Sequence, residues 1–122
     1  MLIKKLTDCK DISGGDETTI KEVLHPKNDP IDLAYSIAHA SLDPGKSSTK
    51  HKMKTTEVYY ILKGHGIMHI DDESKKVTSD SAILIPPNSV QYIENIGEGN
   101  LEFLCFVSPP WRFKDEIDLP KK

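Results

Sequence analysis

A histidine, a methionine and a glutamate lie close together in a part of the sequence that is rich in apolar residues. His51, Met53 and Glu57 are spaced so that, in one unbroken strand, their side chains share a face, with Tyr59 following on that face. A lone charge is costly to bury, so a His and a Glu in such a wall must be paired, bound to a metal ion or neutralised. The pattern therefore predicts a polar site inside the protein.

Three further side chains are candidates for the wall of a pocket. Tyr59 could donate a hydrogen bond to a ligand, or it could belong to the core with its hydroxyl at the edge. Tyr35 and His39 share one face of the segment from Leu33 to Leu42. His39 could enter the cavity as an extra ligand or general base, or it could be a structural histidine held by a hydrogen bond.

Short apolar segments separated by turns must position these residues. β-branched and aromatic residues are dense over 57–62, and further apolar runs occupy 67–70, 82–85, 90–93 and 101–107. No segment carries a sustained helical period. Short strands at such regular spacing predict an all-β sandwich or barrel.

Composition predicts one small domain and disfavours several classes of protein. The chain has 122 residues and a net charge of −3, which fits a single domain over 1–122 and argues against a nucleic-acid surface. No apolar run is long enough to span a membrane, so no membrane partner is expected. The two cysteines, Cys9 and Cys105, are far apart in the sequence, which favours a reducing, cytoplasmic compartment.

The spacing around the candidate site resembles the first motif of the cupin superfamily, G-x5-H-x-H-x3-4-E-x6-G. The matching positions here are Gly45, His51, Met53, Glu57 and Gly64. This resemblance implies a double-stranded β-helix, the RmlC-like jelly-roll barrel, with short irregular N- and C-terminal flanks. Its core would span about 33–108, with motif one at 45–64.

A second stretch, over 80–95, resembles cupin motif two, G-x5-P-x-G-x2-H-x3-N. Asp80, Pro86, Asn88, Gln91 and Asn95 occupy the corresponding positions. Asp80 and Asn88 stand where the motif has glycines. Both residue types are tolerated in turns, and Asn accepts left-handed backbone angles. The two motifs together cover the chain from residue 45 to residue 95.

In metal-binding cupins, four motif residues converge on one ion inside the barrel. Carried over by position, they correspond to His51, Met53, Glu57 and Gln91, so two of the three imidazoles are absent. The resemblance therefore implies a weak or partly occupied site for a divalent transition metal (Mn, Fe, Ni, Zn or Cu), with thioether sulfur best suited to copper. Alternatively, His51, Glu57 and Gln91 could hydrogen-bond one another without an ion.

Two functions follow from these alternatives. One is a metal-dependent site that acts on a small polar metabolite by a reaction that the sequence does not specify. The other is a metal-free pocket that binds a sugar or another metabolite as a sensor, without catalysis. Four lysines between Lys46 and Lys54 could attract an anionic ligand, or they could form a solvated rim.

A homodimer is also expected. Single-domain cupins commonly dimerise, and the flanks carry apolar residues but are too short to build a core of their own. These residues are Leu2, Ile3, Trp111 and Phe113. A second subunit would cover them.

Overall fold

The computed structural model describes residues 1–13 and 17–120, and its regular structure is almost entirely β. The helical segments within those ranges are single 3-10 turns, at Leu6–Asp8 and Phe113–Asp115. No helix in those ranges has the length and apolar character needed to cross a lipid bilayer. The strands are β1 (Lys10–Asp11), β2 (Thr19–Leu24), β3 (Ser36–Leu42), β4 (His51–Met53), β5 (Thr56–Lys63), β6 (His65–Ile70), β7 (Glu73–Thr78), β8 (Ala82–Ile85), β9 (Gln91–Asn95), β10 (Leu101–Ser108) and β11 (Glu116–Asp118).

The strands form two antiparallel sheets that face each other as a jelly-roll barrel. The six-stranded sheet has the order β1-β2-β3-β10-β5-β8, and the five-stranded sheet has the order β11-β4-β9-β6-β7. Neighbours in sequence therefore often lie in different sheets, as the chain passes back and forth between the two walls. The predicted all-β barrel is confirmed.

Alternating side chains of the two sheets build the core between them. In β10, Leu101, Phe103, Cys105 and Val107 are buried, and the residues between them are more exposed. The centroid of the Phe103 ring lies 4.6 Å from the centroid of the Tyr59 ring on the neighbouring strand β5. This period of two is the pattern expected for a strand with one face toward the core. Other buried core residues are Ala40, Leu42, Ile61, Met68, Ile85 and Ile93.

The strand that was expected to carry His51, Met53 and Glu57 together is broken. The chain leaves the five-stranded sheet after Met53 and joins the six-stranded sheet at Thr56, so that β4 and β5 lie in opposite walls. The backbone N–H of Lys54 donates to the carbonyl of Asp115 at this crossing. All three side chains are still buried and face the interior, now from two walls instead of one.

Both flanks contribute short strands to the sheets. β1 and β2 extend the six-stranded sheet, since β2 pairs with β3. β11 extends the five-stranded sheet by pairing with β4, where Glu116 lies opposite Met53 and Asp118 opposite His51. The C-terminal tail pairs with β4 at the edge of that sheet that would otherwise be free.

Left-handed backbone occurs where both motifs have turns. Asp80 and Asn88, which replace motif-two glycines, have φ of 68° and 65°. This confirms that these positions need the backbone angles that Asn and Asp tolerate better than most residues. Gly64, between β5 and β6, has φ of 100°, and a Cβ atom there would lie 2.7 Å from the carbonyl oxygen of Asn100.

Replacing Gly64 should therefore cost stability. Gly64→Ala is expected to lower the free energy of unfolding by about 3 kcal/mol, because it combines an unfavourable φ with a clash against backbone. Urea unfolding followed by circular dichroism measures the change. Gly99→Ala is the matched control, since its added Cβ has no atom within 4 Å. Equal losses in the two variants would contradict this explanation.

Candidate functional site

A cavity of about 430 Å³ lies inside the barrel, and the predicted site residues are in its wall. His51 and Met53 reach it from β4, and Glu57 and Tyr59 from β5. Phe113, which also lines the cavity, is 85% exposed and so marks its mouth. The two sheets thus bring together polar groups that the broken strand would otherwise separate.

A chain of hydrogen bonds links three buried side chains on one side of the cavity. The Tyr59 hydroxyl donates to Oε1 of Gln91 over 3.1 Å, and Nε2 of Gln91 donates to Oε1 of Glu57 over 3.0 Å. Gln91 is 1% exposed and does not line the cavity itself. Its amide therefore holds Tyr59 and Glu57 in place from the facing sheet.

His51 is oriented by the backbone. Its Nδ1 lies 2.7 Å from the carbonyl oxygen of Thr49, which can only accept, so Nδ1 carries the proton and donates it. In the neutral ring, this leaves Nε2 with a lone pair. No hydrogen bond to Nε2 occurs within residues 1–13 and 17–120. His51 thus offers the cavity a free acceptor.

The C-terminal strand β11 adds two carboxyl groups that the sequence analysis missed. Glu116 and Asp118 both line the cavity, beside Met53 and His51 respectively. Nε1 of Trp111 donates to Oε1 of Glu116 over 3.0 Å and fixes that side chain. The alternation of Glu116, Ile117 and Asp118 is a period of two, but three residues are too few to distinguish it from chance.

Burial dominates the electrostatics of these carboxyl groups. It raises the pKa of Glu57 to about 7, and the nearby His51 and the hydrogen bond from Gln91 oppose that rise. Burial likewise raises the pKa of Glu116, again opposed by His51. The Cys105 thiol, which also lines the cavity, has a pKa raised well above its usual value by burial, consistent with the inert packing expected of a buried thiol.

Two pocket candidates, Tyr35 and His39, are not among the described residues that line the cavity. The inward face of β3 is formed by Ser36, Ala38 and Ala40, so His39 points to the outer side of the sheet. There its Nε2 lies 3.2 Å from Oε1 of Glu102, the structural alternative considered for it. Tyr35 precedes β3, is 39% exposed and does not line the cavity.

The lysines near the site do not line the cavity either. Lys46 pairs with Glu17 over 3.3 Å, and Nζ of Lys50 lies 5.7 Å from the centre of the Tyr92 ring. Lys52 alternates with the inward-facing His51 and Met53 and therefore faces outward. No Lys or Arg is among the described residues that form the cavity wall. The structure thus favours the solvated rim over an anion-attracting one.

The residues present do not fit the four-ligand metal site of the family. Both polar atoms of Gln91 are engaged with Tyr59 and Glu57, and Met53 offers only a soft thioether. Across residues 1–13 and 17–120, no three His, Cys, Asp or Glu side chains are grouped so that they could hold a metal ion. Of the four metal ligands of the family, this chain retains the histidine at position 51 and the glutamate at position 57.

A family model and one relative of known sequence are similar to this chain over most of the barrel. A family model described as a cupin domain matches residues 38–107. An uncharacterized protein of Methanocaldococcus jannaschii is 40% identical over 101 residues, covering 82% of this chain and 80% of the relative.

Solved structures similar to this chain include three proteins with different named activities. One is a predicted oxalate decarboxylase from Thermotoga maritima, 23% identical, with a TM-score of 0.75 over 88% of this chain and 99% of that one. The nucleoside dehydratase Pac13 of Streptomyces is 15% identical, with a TM-score of 0.79 over 98% and 91%. The polyketide cyclase RemF from Streptomyces resistomycificus is 17% identical, with a TM-score of 0.80 over 100% and 87%. At these identities the likeness concerns the fold.

The raised pKa of Glu57 predicts a pH-dependent stability. Its folded-state pKa of about 7 lies above the ordinary 4.5, so the bound proton stabilises the fold fully below pH 4.5, and this stabilisation is lost as pH rises through 7. The contribution is about 3 kcal/mol. Glu57→Gln, which carries no charge, should lack this component.

Urea unfolding between pH 4.5 and pH 8.5 measures the effect as the difference between wild type and variant. Glu98→Gln, at an exposed position in the turn before β10, serves as the control and should keep the wild-type profile. A wild type and a Glu57→Gln variant with parallel profiles would rule out a strongly raised pKa.

Proposed function

The chain belongs to the cupin domain family, and on that premise we propose that its barrel binds a small polar metabolite and acts on it by proton transfer. The observation that carries the proposal is the placement of a buried carboxyl group and a buried imidazole in opposite walls of one cavity. Glu57 is 5% exposed and His51 is 9% exposed, and both face the same cavity. Buried acid and base groups in a concave site are the usual elements of acid–base chemistry.

Each side chain has a distinct place in this proposal. His51, held by Thr49, accepts a hydrogen bond or a proton from the ligand at Nε2. Glu57 meets the ligand with Oε2, because its Oε1 is occupied by Gln91. Gln91 and Tyr59 are positioning residues that restrict the carboxyl group to one orientation.

A weak divalent-metal site is the second candidate, and one observation favours it. A ring N–H donated to a backbone carbonyl, as Nδ1 of His51 does to Thr49, is the usual support of a metal-binding histidine. His51 and Glu57 would hold the ion (Mn, Fe, Ni, Zn or Cu), and Gln91 would have to release Tyr59 to join them. A bound ion would supply Lewis-acid polarisation of the ligand.

The named activities of the structural neighbours do not select a reaction. An oxalate decarboxylase, a nucleoside dehydratase and a polyketide cyclase share this fold. One fold supports many reactions, so the chemistry must be argued from the residues of the site. The proposed proton transfer therefore rests on His51 and Glu57 and not on the activities named for the neighbours.

Binding of polar fragments tests the function. Trp111 is the only tryptophan and lines the cavity, so its indole N–H resonance in a ¹H–¹⁵N spectrum reports on ligands there. Fragments that shift this resonance should bind about tenfold more weakly to His51→Asn and Glu57→Gln, because each variant loses one hydrogen bond between the site and the ligand.

Two controls separate the alternatives. Glu98→Gln should bind these fragments like the wild type. Binding that persists with a chelator present supports the metal-free site, and binding restored only by added Mn²⁺, Fe²⁺, Ni²⁺, Zn²⁺ or Cu²⁺ supports the second candidate. Equal affinities in wild type, His51→Asn and Glu57→Gln would refute both versions.

A homodimer in a reducing, cytoplasmic compartment belongs to the same proposal. Both cysteines are free and buried, which suits that compartment. On the outside of the six-stranded sheet, register places Ile37, Phe106, Val58 and Leu84 in one row, with Leu84 64% exposed. An apolar row across four strands favours packing against the same sheet of a second copy.

Sedimentation tests the dimer. The wild type is expected to sediment as a dimer at micromolar concentration, and Leu84→Asp as a monomer, because the carboxylate would be buried without a partner. Thr78→Asp places the same charge on an exposed position of β7 in the other sheet and should leave the dimer intact. A wild-type monomer would contradict the proposed assembly.

A further inference from the structure

We infer that the cavity selects a small organic cation, an amine or an amidine, over neutral and anionic metabolites. This inference rests on the proposed function, since it names the class of ligand for the same cavity. Four carboxyl side chains line the wall, Glu22, Glu57, Glu116 and Asp118. Among the described lining residues, His51 is the one side chain of a basic type.

The carboxyl groups surround the cavity instead of clustering on one side. Glu22 and Glu57 belong to strands of the six-stranded sheet, and Glu116 and Asp118 to β11 of the five-stranded sheet. Charges of one sign in opposite walls of a concave site focus their field on the space between them. A cation in that space is attracted from both walls, and an anion is repelled from both.

Two buried side chains in the wall, Glu57 and His51, each present a free acceptor atom, which independently indicates a ligand with donor groups. Glu57 and His51 are at least nine-tenths buried and face the cavity. Oε2 of Glu57 and Nε2 of His51 have no hydrogen-bond partner in the described parts of the chain. Buried acceptors need donors, and an ammonium group brings three N–H donors where a carboxylate ligand brings none.

Aromatic rings in the same wall suit an organic cation. Trp111 and Phe113 both line the cavity, and Phe113 stands at its mouth. The faces of aromatic rings attract ammonium and guanidinium groups. Because Nε1 of Trp111 donates to Glu116, this ring is held beside a carboxyl group.

The spacing of the carboxyl groups favours an organic cation over a metal ion. In the two described ranges, no three of these acidic or His side chains are placed to coordinate one ion. A metal ion needs its ligands at about 2.0–2.6 Å from one point. A molecule can instead place its cationic group near one carboxyl group and its remaining donors near another.

Two matched sets of compounds test the inference at pH 7.5. The benzyl set is benzylammonium, benzyl alcohol and benzoate, and the n-butyl set is n-butylammonium, n-butanol and butanoate. Titration followed by the Trp111 indole N–H resonance should show each ammonium compound binding at least about tenfold more tightly than its alcohol, with the carboxylate weakest.

Variants that remove one carboxyl group from the cavity wall provide a second test of the cation preference. Glu116→Gln keeps an oxygen for Trp111, and Asp118→Asn changes an exposed residue of similar size, so both variants should fold. Each should weaken ammonium binding about fivefold or more. Glu98→Gln and Asp72→Asn, in exposed turns, are the matched controls and should leave it unchanged.

The outcomes distinguish this inference from the function beneath it. An alcohol or carboxylate that binds more tightly than its ammonium partner overturns the cation preference and leaves the small-molecule site standing. Ammonium binding that is unchanged in Glu116→Gln and Asp118→Asn also overturns it. If no compound of either set shifts the Trp111 resonance, both the cation preference and the proposed function fail.

Discussion

The burial of the Glu57 carboxyl group is the constraint on which the interior of this barrel depends. A carboxylate buried inside the barrel has lost its water, which disfavours its charged form and raises its pKa to about 7. The fold offsets this cost with the hydrogen bond from Gln91 and with the nearby His51, both of which lie on the facing sheet. These contacts require the two sheets to meet in one register, so the polar interior and the jelly-roll topology depend on each other.

The same constraint explains why the chain crosses between sheets at Lys54 and Thr55. In one continuous strand, His51 and Glu57 would lie in one wall, and nothing would bring Gln91 close to both. With β4 in the five-stranded sheet, His51 lies directly opposite Gln91 in the register. With β5 in the other sheet, Glu57 meets Gln91 across the interior. The crossing therefore brings Gln91 close to both His51 and Glu57.

Much of the fold could be predicted from the sequence, because its information is local. The apolar segments at 82–85 and 101–107 agree with β8 and β10, and the left-handed turns at Asp80 and Asn88 follow from residue type. What could not be predicted depends on tertiary pairing. The face that His39 occupies is decided by which neighbours β3 pairs with. The carboxyl groups of β11 reach the cavity only because β4 left an edge free, and no local pattern in a three-residue strand reveals that.

The two residues that depart from the family's ligand set are consistent with each other physically. An imidazole at position 91 could not easily accept from Tyr59 and donate to Glu57 while also binding an ion, whereas an amide has a separate acceptor and donor for these two partners. Met53, 3% exposed, places a thioether beside Glu116 where a second imidazole would bring another basic group. Both changes remove an imidazole that could bind a metal ion, and β11 adds the carboxyl groups of Glu116 and Asp118. Together they leave a cavity in which His51 and Glu57 present hydrogen-bond acceptors beside further carboxyl groups, and the proposed preference for a cationic ligand rests on this arrangement.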